Sequence, residues 1–190
     1  MNTQPNLNKT SNGLKILILS PLYPPDVGAP APYVKALMSR LKEHTVTGLI
    51  YGYLPESVAG VTITAIDKRA LVVRRLVAYT KALVHARKDV DLIILNNAPS
   101  VELPMLLVFL FTKNTIVLCE SDPLAHNASS KGFYKLLHTL LVRRSKKVII
   151  LPTESIYIPP EQLPFKDVDT TAVSTQNNWW HNHLHELTTI

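Results

Sequence analysis

The sequence predicts an α/β fold with a doubly wound, mostly parallel Rossmann-like sheet in a single domain. Along residues 14–155, short apolar runs rich in branched residues alternate with segments of helical spacing. This alternation is typical of a parallel sheet that helices cover on both faces. The chain has 190 residues, of which 46% are hydrophobic and 18% charged. Such a length and composition fit one folded domain and exclude a disordered chain.

Six strands are predicted in chain order. The first, KILILS, is an apolar run that ends at Pro21, as a buried strand does. The other runs share its length and composition. The predicted strands are residues 15–20, 45–51, 61–66, 91–95, 115–119 and 147–151. No helical pattern separates the second strand from the third, which is the one irregularity.

Four helices are predicted between these strands, at residues 33–43, 69–88, 101–111 and 132–144. The helix at 101–111 is apolar on nearly all sides, which predicts a buried helix. Residues 1–13 are polar, and we expect them to be disordered. Residues 156–190 have a turn and linker composition, so the sequence predicts a linker or tail there.

The charge favours an anionic partner without identifying it. Lys and Arg outnumber Asp and Glu by 20 to 14, for a net charge of +6. On the helix at 69–88, Arg74, Lys81 and Lys88 share one face. That face either docks on anionic lipid or is the solvated side of a helix packed on the sheet. Aromatic residues are not interleaved with these charges, so we expect no nucleic-acid partner.

The cysteine content and the apolar runs bear on location. Cys119 is the only cysteine, and its apolar strand predicts a buried structural thiol rather than a nucleophile. Residues 1–13 lack the apolar core of a signal peptide. The longest apolar run, residues 103–111, is shorter than the roughly 20 residues that span a bilayer. We therefore expect a cytoplasmic protein, either soluble or peripheral to the inner face of the membrane.

Three loops are candidate ligand-binding segments, because ligands of open parallel sheets bind outside the carboxyl ends of the strands. They are residues 20–32, 96–100 and 120–127. In the first loop, Gly28 either lets backbone approach a ligand or only makes the turn. In the second, Asn96 and Asn97 are candidate polar contacts.

The third loop carries Ser121, Asp122 and His126. Asp122 is the strongest candidate for a catalytic side chain, and its alternative role is to cap the turn around Pro123. His126 is a candidate general base or hydroxyl contact, although a single histidine in a loop usually has neither role.

Several motifs are absent, which narrows the expected chemistry. There is no G-x-G-x-x-G, no G-x-x-x-x-G-K-[ST] and no G-x-S-x-G, so we expect no dinucleotide cofactor, no P-loop and no hydrolase elbow. His181, His183 and His185 would share a face on a strand and could bind a metal. No fourth ligand is evident, so a solvated tail is favoured and no metal site is expected. Trp179 and Trp180 predict either an interface anchor or a packing contact.

A resemblance to a known family adds to this interpretation. The segment KILILSPLYPPDVGAPAPYVKALMSRLKEHTVTGLI resembles the opening of the family-four glycosyltransferases. DLIILNNAP, IVLCESDPL and SKKVIILPTES resemble later blocks of that family in the same order. The similarity covers roughly residues 14–155. It implies the N-terminal, acceptor-side domain of an enzyme with two Rossmann-like domains.

The resemblance also implies site residues. Gly28 matches the first glycine of a loop that approaches the donor phosphates and the acceptor, and Ala29 replaces the second glycine. Asp122 matches an acceptor-side aspartate, and Ser121 stands where many members have a histidine. Glu154 and Ser155 match the end of the closing strand, a match that assigns them no role.

The function that the resemblance implies is acceptor binding and transfer of a sugar from a nucleotide sugar. The family's donor-binding Glu-x7-Glu pair belongs to a second domain, and we do not find it here. We therefore expect either a separate donor-binding subunit or a truncated member of the family. The candidate acceptors include lipid-linked molecules. The alternative is a non-catalytic Rossmann-like binding or scaffold protein.

Overall fold

Six parallel strands form one sheet in the order β3-β2-β1-β4-β5-β6. The computed structural model describes residues 13–28, 30–109, 113–120, 132–151 and 170–189. The strands are β1 (Lys15–Ser20), β2 (Thr45–Tyr51), β3 (Thr62–Ile66), β4 (Leu92–Asn96), β5 (Thr115–Glu120) and β6 (Lys147–Ile150). The predicted α/β fold and Rossmann-like sheet are confirmed. Every strand pair in the described residues is parallel, so the sheet goes beyond the mostly parallel one predicted.

Five helices flank the sheet within the described residues. They are α1 (Pro30–Arg40), α2 (Val72–Ala86), α3 (Pro99–Phe109), α4 (Gly132–Arg144) and α5 (Thr170–Thr188). Helix α1 begins three residues before the predicted start. Proline fits the first turn of a helix, because the N–H that it lacks has no partner there in any case.

The two faces of the sheet carry separate cores. Along β1, Ile16 and Ile18 point to one face, while Leu17 and Leu19 point to the other. The first core lies against α1 and α5, which we call the α1–α5 layer. The second lies against α2, α3 and α4, the α2–α3–α4 layer. This two-sided burial explains why the strands are continuous apolar runs.

The connection from β2 to β3, residues 52–61, contains no helix, as the sequence predicted. Two parallel neighbours are therefore joined by an irregular segment, in which Leu54 has a φ of 51°. The segment returns the chain to the start of β3. Helix α2 is therefore the helix of the α2–α3–α4 layer that lies beside β2.

Helix α5 corrects one prediction. Residues 156–190 were predicted to be linker or tail, which is wrong for Thr170–Thr188. Trp180, His183 and Leu187 are spaced for one helix face, and all three are buried against the sheet and α1. Packing of this narrow face stabilises a helix whose other positions are mostly polar. None of the helices in the described part of the chain has the length and apolar composition needed to cross a bilayer.

Candidate functional site

A pocket of about 440 Å³ lies at the carboxyl edge of the sheet, in the α2–α3–α4 layer. It opens between the loop after β1 and the start of α3, where the strand order reverses between β1 and β4. Ligands of doubly wound sheets bind at this position. Its lining residues come from four elements and two loops: Pro21, Leu22, Tyr51, Lys68, Val72, Arg75, Leu76, Pro99, Ser100, Leu103 and Tyr134.

Tyr51 fixes one wall of the pocket. It ends β2, and its hydroxyl donates to the Ser100 carbonyl at 3.2 Å. Its ring stacks on that of Tyr79, with centroids 4.5 Å apart. Burial raises the pKa of Tyr51 to about 12, so the phenol is a proton-bearing donor at neutral pH. The wall is therefore polar at its tip and aromatic along its side.

Two cations also line the pocket. Lys68, which follows β3, places its Nζ 2.6 Å from Oδ2 of Asp26 in the loop after β1. Arg75 on α2 donates from Nη1 to the Lys68 carbonyl at 2.8 Å. Among the described residues, the lining holds two cations and no carboxylate, and Asp26 contacts Lys68 from outside the lining. Such a wall attracts an anionic group, and arginine in particular suits phosphate or carboxylate.

Gly28 ends the loop after β1 with a φ of +146°, a conformation that favours glycine. Its carbonyl accepts the Ala31 N–H at 3.0 Å, which turns the chain into α1. A Cβ built on Gly28 would lie 2.6 Å from Cδ1 of Leu22. Leu22 itself lines the pocket, so the glycine shapes the pocket through this neighbour.

Asn96 and Asn97 are both fully buried beneath the crevice. Nδ2 of Asn96 donates to the Leu19 carbonyl at 3.3 Å, which joins the ends of β4 and β1. The Asn97 N–H donates to the Cys119 carbonyl at 3.0 Å. These asparagines join strand ends, and neither they nor Gly28 is among the described residues that line the pocket. Their contact with a ligand stays a prediction.

The third predicted loop begins at Glu120. Ser121, Asp122 and His126 lie outside the described residues, as do Glu154 and Ser155. Glu120, the last residue of β5, is described, and it belongs to a cluster that the sequence did not predict.

That cluster is Glu102, His138 and Glu120. Nδ1 of His138 on α4 lies 3.1 Å from Oε1 of Glu102 on α3, and its Nε2 lies 3.4 Å from Oε1 of Glu120. A neutral imidazole donates through only one nitrogen. Here both ring nitrogens of His138 lie close to a carboxylate oxygen. The three residues come from separate elements, so only the fold brings them together.

Cys119 lies in the core of the α1–α5 layer, and His181, His183 and His185 lie on α5. Cys119 is fully buried, and burial raises its thiol pKa to about 12, which agrees with a structural role. His183 is also buried, and its Nε2 lies 2.8 Å from the Tyr33 hydroxyl. His181 and His185 are exposed on the same helix. The prediction of a solvated tail is therefore wrong for His183. The strand on which the three histidines would share a face is also not observed, because they lie on a helix.

No group of three or more His, Cys, Asp and Glu side chains in the described ranges is arranged to hold a metal ion.

Sequence reasoning missed Tyr51, Lys68, Arg75 and Tyr134 as pocket residues. Lys68 could have been found, because it directly follows β3 and the carboxyl-end rule applies to it. Tyr51 ends β2 and falls under the same rule. Arg75 and Tyr134 are inside helices, and only their packing brings them to the strand ends.

No protein-family model matches the chain, and no curated protein is significantly similar to it.

Proposed function

We propose that this chain is the acceptor-side half of a nucleotide-sugar-dependent glycosyltransferase. The observation that carries the proposal is the pocket at the β1–β4 switch point, which Lys68, Arg75 and Tyr51 line. Enzymes of the resembled family use this edge of the N-terminal sheet. The order of the strands is also that of a dinucleotide-binding sheet, which has its ligand crevice at the same place.

The chemistry of the pocket fits a phosphorylated acceptor. Arg75 and Lys68 would bind the phosphate, with Lys68 exchanging part of its contact to Asp26 for the ligand. Val72, Leu76 and Leu103 would pack on an apolar part of the acceptor. A lipid-linked phosphate combines both features. The Tyr51 phenol donates its proton to the Ser100 carbonyl, so it would offer the ligand its oxygen as an acceptor.

In the transfer step, an acceptor hydroxyl would attack the anomeric carbon of the donor sugar. A new C–O bond forms while the bond to the nucleoside diphosphate breaks, and the diphosphate leaves with the electron pair. The hydroxyl proton passes to a base of the third loop, for which Asp122 and His126 are the candidates. The Gly28 loop, Asn96, Asn97 and Ser121 would line this side of the cleft. A second chain or domain would hold the nucleotide.

The test uses the chain purified with a tag from its own cells. We expect native mass spectrometry to show a stoichiometric complex with a donor-binding subunit, and the complex to transfer radiolabelled sugar from nucleotide sugars to a lipid extract. Asp122→Asn is expected to lower the transfer rate about 100-fold or more, as loss of a general base does. Asp89→Asn, on an exposed turn after α2, is the matched control.

A lone chain with no transfer activity would contradict the proposal. If that lone chain still bound phosphorylated ligands in the pocket, it would be a non-catalytic Rossmann-like binding or scaffold protein.

A further inference from the structure

We propose that the outer surface of the α2–α3–α4 layer is a docking surface for an anionic membrane. The proposal rests on exposed apolar side chains, on the sign of the charges around them, and on the contrast with the α1–α5 layer. It needs no ligand in the pocket.

Helix α2 presents an apolar stripe to solvent. Tyr79 and Leu83 are buried against the sheet, whereas Val73, Val77 and Val84 point outward and are exposed. At 100° per residue the three valines fall on one side of the helix. A helix that only covered a sheet would have polar residues at these positions.

Helix α4 repeats this arrangement. Leu137 and Leu141 are buried in the core, while Phe133, Leu136 and Leu140 are 64%, 57% and 44% exposed. Their spacing again places them on one stripe of the helix. The layer therefore exposes large apolar side chains on two helices.

Helix α3 lies between them and connects the two stripes. It packs against both α2 and α4, and it exposes Leu107. None of the exposed large apolar side chains in the described ranges belongs to α1 or α5. The exposed large apolar side chains that helices carry in the described ranges are thus confined to this layer.

The charges on this surface have one sign. Helices α2 and α4 contain no carboxylate, and the single carboxylate of α3, Glu102, is buried against His138. The exposed cations on these helices are Arg74, Lys81, Lys135, Arg143 and Arg144. Apolar residues beside cations, without acids, complement a bilayer with anionic headgroups. This surface includes Arg74 and Lys81 of the predicted basic face. The surface as a whole extends across three helices.

The position of the pocket connects this surface with the proposed function. Val72 and Tyr134 line the pocket and are also exposed on the same layer. A lipid-linked acceptor in the bilayer could therefore reach the pocket directly. This connection depends on the proposed function, whereas the docking itself does not.

The test is co-sedimentation of the full chain with vesicles, without any substrate. One set of vesicles is pure phosphatidylcholine, and the other also contains phosphatidylglycerol. We expect binding to the anionic vesicles, with an affinity that falls as salt is added. Lys81→Glu is expected to weaken it about 5-fold or more, because each basic residue near the surface contributes on the order of 1 kcal/mol, about a 5-fold change. Phe133→Ser is expected to weaken it about 10-fold through lost apolar burial.

The matched control is Lys42→Glu, which makes the same charge change at an exposed position outside this layer, in the turn after α1. It is expected to leave binding unchanged. Unfolding curves of the three variants should match that of the wild type, since all three side chains are exposed. Equal binding to both kinds of vesicle, an equal loss in Lys42→Glu, or no binding would overturn the proposal. A soluble, acidic protein that occupies this surface in the purified complex and prevents vesicle binding would also overturn it.

Discussion

The Tyr33 hydroxyl lies 2.8 Å from Nε2 of His183, a contact between residues 150 positions apart in the sequence. Both residues are buried, and the contact joins α1 to α5. Trp180 stacks on Tyr33 with ring centroids 5.9 Å apart, and Trp179 stacks on His183 at 4.6 Å. Through these aromatic contacts, α5 packs on the rest of the domain.

The stability of the domain is expected to fall with pH through His183. Burial lowers its pKa from 6.5 to about 4, so below pH 6.5 the unfolded chain binds a proton that the folded chain excludes. Stability from this group is full above pH 6.5 and decreases as the pH falls toward 4. We expect a loss of about 2 kcal/mol between pH 7.5 and 5.

Urea unfolding at the two pH values measures this loss. The charged groups near His183 are Glu186 on α5 and Lys147 on β6, and both are retained in the comparison. Between the two pH values, His183→Gln should lose less unfolding free energy than the wild type, by about 2 kcal/mol. His181→Gln, at an exposed position, should keep the wild-type dependence. Identical slopes in all three proteins would contradict a neutral, buried His183.

Trp180→Ala is expected to destabilise the domain by about 3–5 kcal/mol, as removal of a buried aromatic does. The ring is 2% exposed, and Arg40 lies over it at 4.5 Å from the centroid. His181→Ala, one residue on, should change the free energy of unfolding by less than about 0.5 kcal/mol. A loss below about 1 kcal/mol for Trp180→Ala would mean that α5 contributes little to the fold.

The sequence predicted the sheet well because a strand buried on both faces is marked by composition alone. The runs that became β1 and β2 were predicted with the observed bounds. Strands β3, β5 and β6 differ by one residue at one end, and β4 by one residue at both ends. Helix α5 could not be predicted in this way. Its buried face has only a few side chains, among them Trp180, His183 and Leu187. Alternating histidines in a polar segment indicate neither a helix nor burial until Tyr33 and the sheet are present.

The site was predicted less completely, for a related reason. The carboxyl-end rule pointed to the edge at which the pocket lies, and Pro21, Leu22, Pro99 and Ser100 of the predicted loops line that pocket. Arg75 is on a helix, where its charge resembles that of any solvated residue. Only the packing of α2 on the sheet turns it toward the pocket.

Glu102 and His138 are expected to be energetically coupled. Their contact is at 3.1 Å, with the Glu102 side chain 1% exposed. In a double-mutant cycle with Glu102→Leu and His138→Leu, we expect a coupling of about 1–3 kcal/mol in unfolding free energy.

The control cycle uses Lys147 and Glu186, whose ion pair at 2.9 Å is solvent-exposed. Its coupling should be below about 1 kcal/mol. Equal couplings in the two cycles would show that burial adds nothing to the Glu102–His138 contact.

Gly28→Ala is expected to destabilise the fold more than Gly60→Ala. Both glycines have a positive φ, but a Cβ at Gly28 meets Leu22, whereas nothing lies within 4 Å of one at Gly60. Gly60→Ala should cost about 1 kcal/mol from backbone strain alone, and Gly28→Ala about 2–3 kcal/mol. Thermal unfolding of both variants measures the difference. Equal losses would show that Leu22 moves aside without cost.

The measurement that tests the proposed function most directly is sugar transfer by the purified complex, with the acceptor in detergent micelles so that membrane docking plays no part. We expect Arg75→Met to lower kcat/KM for the acceptor about 10- to 100-fold, because a charged contact to phosphate contributes roughly 1.5–3 kcal/mol. Lys42→Met, outside the α2–α3–α4 layer, should retain wild-type transfer. A wild-type complex that transfers no sugar, or an Arg75→Met variant as active as the wild type, would contradict a phosphorylated acceptor in this pocket.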